Sequence, residues 1–372
     1  MSGIREIHSR KELGTFIRLP LSLYRDYPDY VPPVFHDEWH LHDGSGEATK
    51  HCRTIHFLAE ENGKVTGRIM GIIRDDFNER FGLKTARFFN FDCVNDFATA
   101  KALLDAVADW AKREGMQQLI GPFGFSDKDP QGFQVEGYQH RAVISAPSHP
   151  PWMPALVEQL GYTKHVDCLS YQLSIPEEIP GPVQEISKRI LSSGNYRLIR
   201  FRKRSEMKGW ILPVFELVNT TYSHLFGFMP MSDAEMQEMA KQFLPVLDPA
   251  FTVLVADREN KPIAFVIAMP DISIGLQKAK GALFPFGFIH ILKAMKTATQ
   301  LNLLLGAVHP QCRQSGITAI LAVSILEETR RRNMNIIDSH LVLEENPQVR
   351  KVLERFGGKI VKRFRIYEHR FK

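Results

Sequence analysis

The feature that most constrains the fold is one local pattern that occurs twice in the chain. Residues 55–73 read IHFLAEENGKVTGRIMGII, and residues 251–269 read FTVLVADRENKPIAFVIAM. Each segment is an apolar run, a short polar turn and a second apolar run, which is typical of a β-hairpin. Two hairpins of the same kind, one in each half of the chain, predict two halves built on one plan.

Both halves continue with the same order of elements. Apolar residues at helical spacing predict helices, and short apolar runs between turn signals predict strands. The predicted segments are a helix at 103–111, a strand at 118–123, a helix at 153–160 and a strand at 163–173 in the first half, and a helix at 317–326, a strand at 336–343, a helix at 349–356 and a strand at 359–371 in the second. Each half is therefore predicted to be an α/β domain.

The two predicted domains are separated by residues 174–182, SIPEEIPGP. Three prolines in this segment oppose regular structure. We therefore expect a first domain over 1–173, a linker over 174–182 and a second domain over 183–372. A chain of 372 residues is long enough for two domains of ordinary size.

A candidate anion site follows the predicted strand at 301–308. Residues 308–321 read VHPQCRQSGITAIL, so that a polar turn leads directly into an apolar helix. Backbone N–H groups at such a turn point to one place at the positive end of the helix dipole. Gly316 leaves room for an anion to approach the backbone. The alternative is an ordinary connection between a strand and a helix.

The spacing V-x-P-x-x-R-x-x-G-x-(small) at 308–318 resembles the acyl-CoA-binding loop of the GNAT N-acyltransferases. The whole chain is similar in layout to tandem-GNAT proteins such as mycothiol synthase. It is closer to a bacterial group of acetyltransferase-like proteins, on the segments YRDYPDYVPP at 24–33 and RFGGKIVKRFRIYE at 355–368. The resemblance implies two tandem GNAT domains, each a mixed, mostly antiparallel, splayed sheet flanked by helices.

The resemblance also implies an acyl-CoA site in the second half, with acetyl-CoA as the expected donor. Two residues depart from the family pattern. Gln314 stands where the family often has glycine, and Thr318 stands where it usually has glycine or alanine. The corresponding turn of the first half, 91–98, has no glycine or arginine and carries Asp92 and Asp96, whose charges would repel a pyrophosphate. The implied CoA-binding residues are Gly306, Ala307, Val308, Arg313, Gln314, Ser315, Gly316, Ile317, Thr318 and Asn346.

In the family, a tyrosine of the last helix often protonates the departing thiolate, and the matching position here is Leu353. That role is absent or filled elsewhere. The candidates for proton transfer are Asp338, His340, Glu344 and Glu345 near the end of the strand at 336–343, and Tyr222 from a covering helix. Alternation along a strand places Asp338 and His340 on one face. Each of these residues has an ordinary structural alternative, such as a satisfied buried polar group or a charge at a helix N-terminus.

The acceptor pocket is expected between the predicted CoA loop and residues 219–235, which include Tyr222, His224 and Phe226. The loop at 121–141 in the first half is long and rich in glycine and proline, as functional loops often are. Asp127, Asp129 and Glu136 in this loop either bind a cationic acceptor or are solvated surface charges.

The segment 282–295 is apolar and aromatic, and its interpretation stays open. A helix buried against the sheet is the favoured prediction. The alternative is a surface that meets a lipid, a long acyl chain or a second subunit.

Composition restricts the class of protein. The chain is 44% hydrophobic and 24% charged, with a net charge of +5 and no basic stripe with interleaved aromatics, so nucleic acid is not an expected partner. No apolar run reaches the length of a membrane span or of a signal peptide core. Four cysteines without a CxxC pair predict reduced thiols and no metal site. We expect a cytoplasmic monomer or homodimer.

The sequence thus favours an N-acyltransferase that moves an acyl group, expected to be acetyl, from acyl-CoA to a small-molecule amine. The alternative is a protein that keeps the fold and the acyl-CoA site without turnover. A third interpretation, a homo-oligomeric interaction module without a ligand, is opposed by the intact loop at 308–318.

Overall fold

The computed structural model describes residues 3–144, 146 and 148–371, apart from the side chain of His340. The described residues form thirteen β-strands that belong to one sheet. Strands β1 to β13 span, in order, Gly3–Glu6, Cys52–Glu61, Lys64–Arg74, Thr85–Cys93, Gln118–Gly121, Phe133–Glu136, Thr163–Ser174, Tyr196–Arg200, Thr252–Asp257, Pro262–Pro270, Gln300–Val308, Ile336–Leu343 and Lys359–Arg370.

Helices cover both faces of this sheet. Helices α1 to α13 span, in order, Arg10–Leu23, Phe35–His42, Asp75–Phe81, Phe97–Arg113, Trp152–Gln159, Gly181–Ser192, Arg204–Met207, Ile211–Tyr222, Asp233–Phe243, Ser273–Ala279, Gly287–Thr297, Ile317–Arg331 and Pro347–Arg355. None of them is both long enough and apolar enough to cross a bilayer, in the part of the chain that the structure describes.

The order of strands across the sheet is nearly symmetric. It runs β1-β2-β3-β4-β5-β13-β7-β12-β11-β10-β9-β8, with β6 paired to β13. The predicted hairpins, β2–β3 and β9–β10, occupy matching positions on the two sides. The prediction of two halves with the same order of elements is confirmed.

The halves exchange their last strands at the centre of the sheet. Strand β7 of the first half pairs with β12 of the second, and β13 of the second half pairs with β5 of the first. Strands β7 and β13 also pair with each other along most of their length. One continuous sheet results, so the first half and the second half complete each other.

Each half has an irregular strand followed by a gap in the sheet. Strands β4 and β5 pair in parallel over only three residues, and β11 and β12 over only four, so both pairs then separate. A bulge interrupts the pairing of β4 with β3 near Asn90, and another interrupts that of β11 with β10 near Leu304. Bulges bend a strand and redirect its side chains. The predicted splayed sheets are present in both halves.

Alternation of apolar side chains explains why both faces of the sheet are covered. In β2 and β3, Phe57 and Ile69 pack beneath α4, whereas Leu58 and Met70 pack beneath α1. Helix α4 lies so close to β3 that a Cβ on Gly67 would be 2.6 Å from the Leu103 side chain. In the second half, α12 covers one face of the sheet and α8 and α9 the other.

The prediction of a buried helix for the segment 282–295 is wrong for its aromatic side chains. Helix α11 packs on α10 through Ile291 and Met295, which lie in one apolar cluster with Leu276. Its other face is open to solvent, and the Phe284 side chain that precedes it is 82% exposed. The composition predicted the helix but not which of its faces would be covered.

Candidate functional site

The predicted anion site is an uncapped helix N-terminus at the end of β11. A short 3-10 turn, Pro310–Cys312, joins β11 to α12, and Gly316 is the N-cap residue with φ near 83°. No side chain accepts a hydrogen bond from the first turn of α12 at this cap. The N–H of Ala319 donates to the Gly316 carbonyl at 2.8 Å, so the N–H groups available to an anion are the earlier ones of the first turn. Arg313, Gln314 and Ser315 are exposed beside them.

Gly316 is held in this conformation by its neighbours. A positive φ is strained for residues with a side chain. A Cβ at this position would also lie 2.9 Å from both Ile186 and Ile190 of α6. The turn therefore needs glycine for its backbone geometry and for the packing of α6, whatever it binds.

In the matching turn of the first half, a carboxylate caps the N-terminus of the helix. Asp96 is the N-cap residue of α4, and its carboxylate accepts a hydrogen bond of 2.7 Å from the N–H of Thr99. A negative charge already lies where an anion would bind, as the sequence suggested. Asp92 does not contribute to this effect, because it is 3% exposed and faces the protein interior.

The expected position of the thioester lies beside Tyr222. This residue ends α8, and its hydroxyl donates a hydrogen bond of 2.7 Å to the carbonyl of Gly306 in β11. Burial raises the pKa of Tyr222 to about 12, with a smaller contribution from the charge of Asp127. The hydroxyl is therefore protonated at neutral pH and acts as a donor. The structure thus brings Tyr222 to the strand that leads into the predicted CoA loop.

The loop at 121–141 of the first half lies against this region of the second half. The rings of Phe123 and Phe226 pack with their centroids 5.4 Å apart, and the Lys128 ammonium lies 4.7 Å from the centre of the Phe228 ring. Lys128 also forms a 2.7 Å ion pair with Asp127. Burial raises the pKa of Asp127 in spite of this ion pair. The Asp127 carboxylate of the first half is therefore close enough to raise the pKa of Tyr222.

The predicted proton acceptors on β12 begin with Asp338. Asp338 is fully buried within the sheet, where Ser170 donates to it at 3.1 Å and the Lys362 ammonium lies 3.7 Å away. The side chain of His340 lies outside the described residues. A bulge between Ser339 and Val342 and a positive φ at Leu341 interrupt the alternation from which a shared face for Asp338 and His340 was predicted.

Glu344 and Asn346 follow β12 and have structural partners. Lys164 and Arg363 donate to the Glu344 carboxylate at 2.6 Å and 2.7 Å, and these hydrogen bonds lower its pKa. The Asn346 side chain accepts from the N–H of Val349 at 3.3 Å and so caps α13. Their assignment to catalysis and to CoA binding stays a prediction.

The first half contains a buried polar network that sequence analysis missed. Arg68 and Asp92 face each other on β3 and β4 and form a 2.7 Å ion pair. Tyr24 donates to the same carboxylate at 2.7 Å, and Asn90 donates to Glu38 at 3.0 Å. Charged residues inside apolar strands are rarely buried without a partner, so Arg68 and Asp92 were the signal that could have revealed the network.

A cavity of about 80 Å³ borders this network in the gap after β4. Asp92, Glu38, Tyr30 and Ser148 line it together with His149. Burial lowers the pKa of His149 to about 4, so the ring is neutral at pH 7, and its Nδ1 atom has no hydrogen-bond partner among the described residues. Among those residues, no group of three or more His, Cys, Asp or Glu side chains is arranged to hold a metal ion.

Comparisons of the sequence with known proteins give two relatives over nearly the whole chain. "Protein YghO" of Escherichia coli K12 is 28% identical over 372 residues, which cover 98% of this chain and 94% of that protein. "Bacterial ceramide synthase" of Caulobacter vibrioides is 26% identical over 366 residues, which cover 96% of this chain and 94% of that protein. No protein-family model matches the sequence.

The structural comparison is with solved structures of low sequence identity. A tandem GNAT protein from the clavulanic acid biosynthesis pathway matches with a TM-score of 0.57 at 13% identity, over 100% of this chain and 98% of that one. Such a match shows the fold. The strand order, the two splayed gaps and this match agree: the chain has the tandem GNAT fold.

Proposed function

We propose that the protein is an acyl-CoA-dependent N-acyltransferase that transfers an acyl group, in the simplest case acetyl, to an amine. The observation that carries this proposal is the uncapped N-terminus of α12 beside Gly316, at the end of a bulged strand that contacts Tyr222. The residues fit the pyrophosphate of CoA, because free N–H groups and the exposed Arg313 offer positive potential and no carboxylate caps the helix.

When bound, acyl-CoA supplies an activated thioester carbonyl. The chain must then hold that carbonyl, remove a proton from the amine and return a proton to the thiolate. We assign the first task to the backbone of β11 at residues 305–308, next to the bulge. The Tyr222 hydroxyl is protonated at neutral pH and suits the last task. Tyr222 would thus replace the tyrosine that the family places where this chain has the buried Leu353.

The acceptor is proposed to enter between the segment 219–235 and the first-half loop at 121–132. The Phe226 ring packs on Phe123 of that loop, and the ion pair of Asp127 with Lys128 lies against the buried ring of Phe228. A carboxylate beside aromatic rings favours a cationic amine. Burial raises the pKa of Asp127, which makes its carboxylate a stronger base than that of an exposed aspartate and a candidate base besides His340.

The name of one relative suggests which sizes of acceptor and acyl group to test. The Caulobacter protein is named a ceramide synthase, and a ceramide is an amide of a long-chain amino alcohol. A panel of test substrates should therefore contain long-chain amino alcohols and long-chain acyl-CoA, in addition to acetyl-CoA and short polyamines.

The competing proposal is a protein that binds acyl-CoA without turnover. It is favoured by Leu353 at the tyrosine position and by the structural partners of Asp338 and Glu344. Binding measurements alone do not separate the two proposals, because both predict an acyl-CoA site.

A turnover assay that follows release of the free CoA thiol tests the proposal. The parent should acylate at least one amine of the panel, and His340→Ala should lower the rate on the order of 10²-fold with acyl-CoA affinity unchanged. The exposed His8, replaced by alanine, is the matched control and should leave the rate unchanged. A parental rate in His340→Ala discards His340 as the base. Binding without transfer to any amine favours the non-catalytic alternative.

A further inference from the structure

An apolar patch lies on one side of the α10–α11 helical hairpin. Of the fourteen exposed large apolar side chains among the described residues, five fall within residues 284–292. Phe284 is 82% exposed, Phe286 69% and Leu292 60%, and Phe288 and Ile289 complete the group. The remaining exposed apolar side chains are spread over the rest of the chain, as is usual for globular proteins. This concentration is therefore a distinct surface, which we call the 284–292 patch.

The patch is carried on a firmly attached support. Gln277 of α10 donates hydrogen bonds to the carbonyls of Pro28 and Tyr30 in the first half, at 2.8 Å and 3.0 Å. The N–H of Phe35 donates to the carbonyl of Gly281 at 2.9 Å. A Cβ on Gly275 would be 2.8 Å from the carbonyl of His290, so α10 and α11 are in close contact. The exposed side chains therefore project from a rigid hairpin.

The charges of the α10–α11 hairpin itself have one sign. Residues 272–300 contain four lysines and no acidic residue. Lys293 and Lys296 lie one turn beyond Ile289 and Leu292 on α11, and Lys278 and Lys280 lie at the end of α10. All four are exposed. Aromatic side chains at the tip with lysines behind them are the pattern of a helix that lies in a membrane interface, where lysines reach lipid phosphates.

We propose that the 284–292 patch docks the protein onto the surface of an anionic phospholipid bilayer. The phenylalanines and Leu292 enter the boundary between headgroups and acyl chains, and the four lysines pair with lipid phosphates. This contact is peripheral and needs no membrane-spanning helix. It does not depend on the acyl-transfer chemistry, although it would bring the protein to amphiphilic substrates.

A second copy of the chain is the competing occupant of the patch. A two-fold contact brings the same surface of both copies together, and residues 272–300 of neither copy offer an acidic side chain to the lysines of the other. Lysine is also depleted in the cores of protein interfaces. The charge pattern therefore favours lipid phosphate.

Vesicle co-sedimentation of the full chain tests the proposal. The parent should bind vesicles of phosphatidylcholine mixed with phosphatidylglycerol at least about tenfold more tightly than vesicles of phosphatidylcholine alone. Binding to the mixed vesicles should weaken as salt is added. The triple variant Phe284→Ser, Phe286→Ser, Leu292→Ser should lose binding, and Lys293→Glu with Lys296→Glu should lose the preference for the anionic vesicles.

Two controls keep the outcome decisive. Phe81→Ser and Phe243→Ser remove side chains that are exposed elsewhere, at 45% and 43%, and should bind vesicles as the parent does. The patch variants should keep the melting temperature and the acyl-CoA affinity of the parent, which separates this proposal from the proposed function. Absence of vesicle binding by the parent, or equal binding by the patch variants, overturns the proposal. So does a parent that forms dimers, without binding vesicles, which the triple variant dissociates.

Discussion

At the scale of single residues, the proposed CoA site depends on the turn at 313–318. Gly316→Glu should abolish binding, because it adds bulk and a like charge where the pyrophosphate is proposed to lie. That variant also strains the backbone and collides with α6. Arg313→Glu is the cleaner test, since Arg313 is exposed and its replacement leaves the packing intact. It should weaken acyl-CoA binding by at least about tenfold, which corresponds to 1.4 kcal/mol.

The control for this prediction is the matching turn of the first half. Asp96→Gly removes the carboxylate that caps α4 and should leave acyl-CoA affinity unchanged. Thermal shift with a panel of acyl-CoA thioesters measures both variants. Equal ligand-induced shifts in Arg313→Glu and in the parent would show that the turn at 313–318 does not hold CoA.

Tyr222 is the second residue with a sharp prediction. Tyr222→Phe removes the hydroxyl that donates to Gly306 while it keeps the ring. Turnover should fall about 10²-fold, with acyl-CoA affinity within about twofold of the parent, because a general acid acts on the chemical step. Thr220→Ala, on an exposed position of the same helix, should have the parental rate. A parental rate in Tyr222→Phe would remove it from the mechanism.

The sequence predicted part of this site and missed part of it. The order strand, turn, glycine and helix at 301–326 follows from local signals, and the uncapped N-terminus of α12 has the predicted place. The approach of Asp127 to Tyr222 and of Lys128 to Phe228 joins residues far apart in the chain, and no local pattern carries that information. The bulge between Ser339 and Val342 in β12 was not predicted, because alternation of side chains carries no sign of an inserted residue.

At the scale of elements, the exchanged strands β7 and β13 are joined by charge as well as by backbone pairing. Arg365 and Arg363 donate to the buried carboxylate of Asp167 at 2.9 Å and 3.0 Å, and Lys164 lies 3.2 Å from it. Burial by itself would raise the pKa of Asp167, but these hydrogen bonds more than offset that effect and lower it. The carboxylate is therefore charged in the folded protein and stabilises it.

Asp167→Asn should destabilise the protein by about 2 kcal/mol at pH 7, since it leaves two arginines without their shared acid. A pKa lowered by folding stabilises the protein above the ordinary value of about 3.9, and the effect is lost as the pH falls through the folded pKa. The stabilities of parent and variant should therefore begin to converge as the pH falls below about 4. Urea unfolding at several pH values measures this difference.

The matched control for Asp167 is Glu136, which pairs with the same Arg363 at 3.2 Å but is 61% exposed. Glu136→Gln should change the free energy of unfolding by less than about 1 kcal/mol, as expected for an exposed ion pair. A variant of Asp167 that is as stable as the parent at pH 7, or whose deficit is as large at pH 3 as at pH 7, would contradict this account of the contact between β7 and β13.

The hairpins, helices and strands themselves were predictable, because each has its own apolar period and its own stop signals. The exchange of β7 and β13 was not. Both are strands of twelve residues in matching positions of the repeat, so either could complete either half. The two strands are joined by contacts such as Asp167 with Arg363 and Arg365, which are distant in sequence. The sequence carries one local sign of these contacts: Arg363 and Arg365 are two positions apart and therefore share one face of β13, where an acidic partner is expected.

At the scale of the whole molecule, the strand exchange makes the halves interdependent. Leu169, Tyr171 and Leu173 of β7 lie in the apolar core of the second half, and Tyr367 of β13 lies in that of the first. Residues 1–180 and 181–372, produced separately, should each be insoluble or unfolded, because each would expose apolar strand surface that the other half covers. Production of both pieces together should restore a soluble complex. A cooperative thermal transition in either piece alone would contradict this expectation.

The central claim is that one of the two similar halves, the second, holds acyl-CoA. Calorimetric titration of the intact chain with acetyl-CoA, repeated with a long-chain acyl-CoA, tests it most directly because it gives affinity and stoichiometry together. The account predicts one molecule bound per chain, with that binding lost in Gly316→Glu, weakened in Arg313→Glu and kept in Asp96→Gly. Two molecules per chain, no binding of any acyl-CoA, or binding that survives in Gly316→Glu would contradict it.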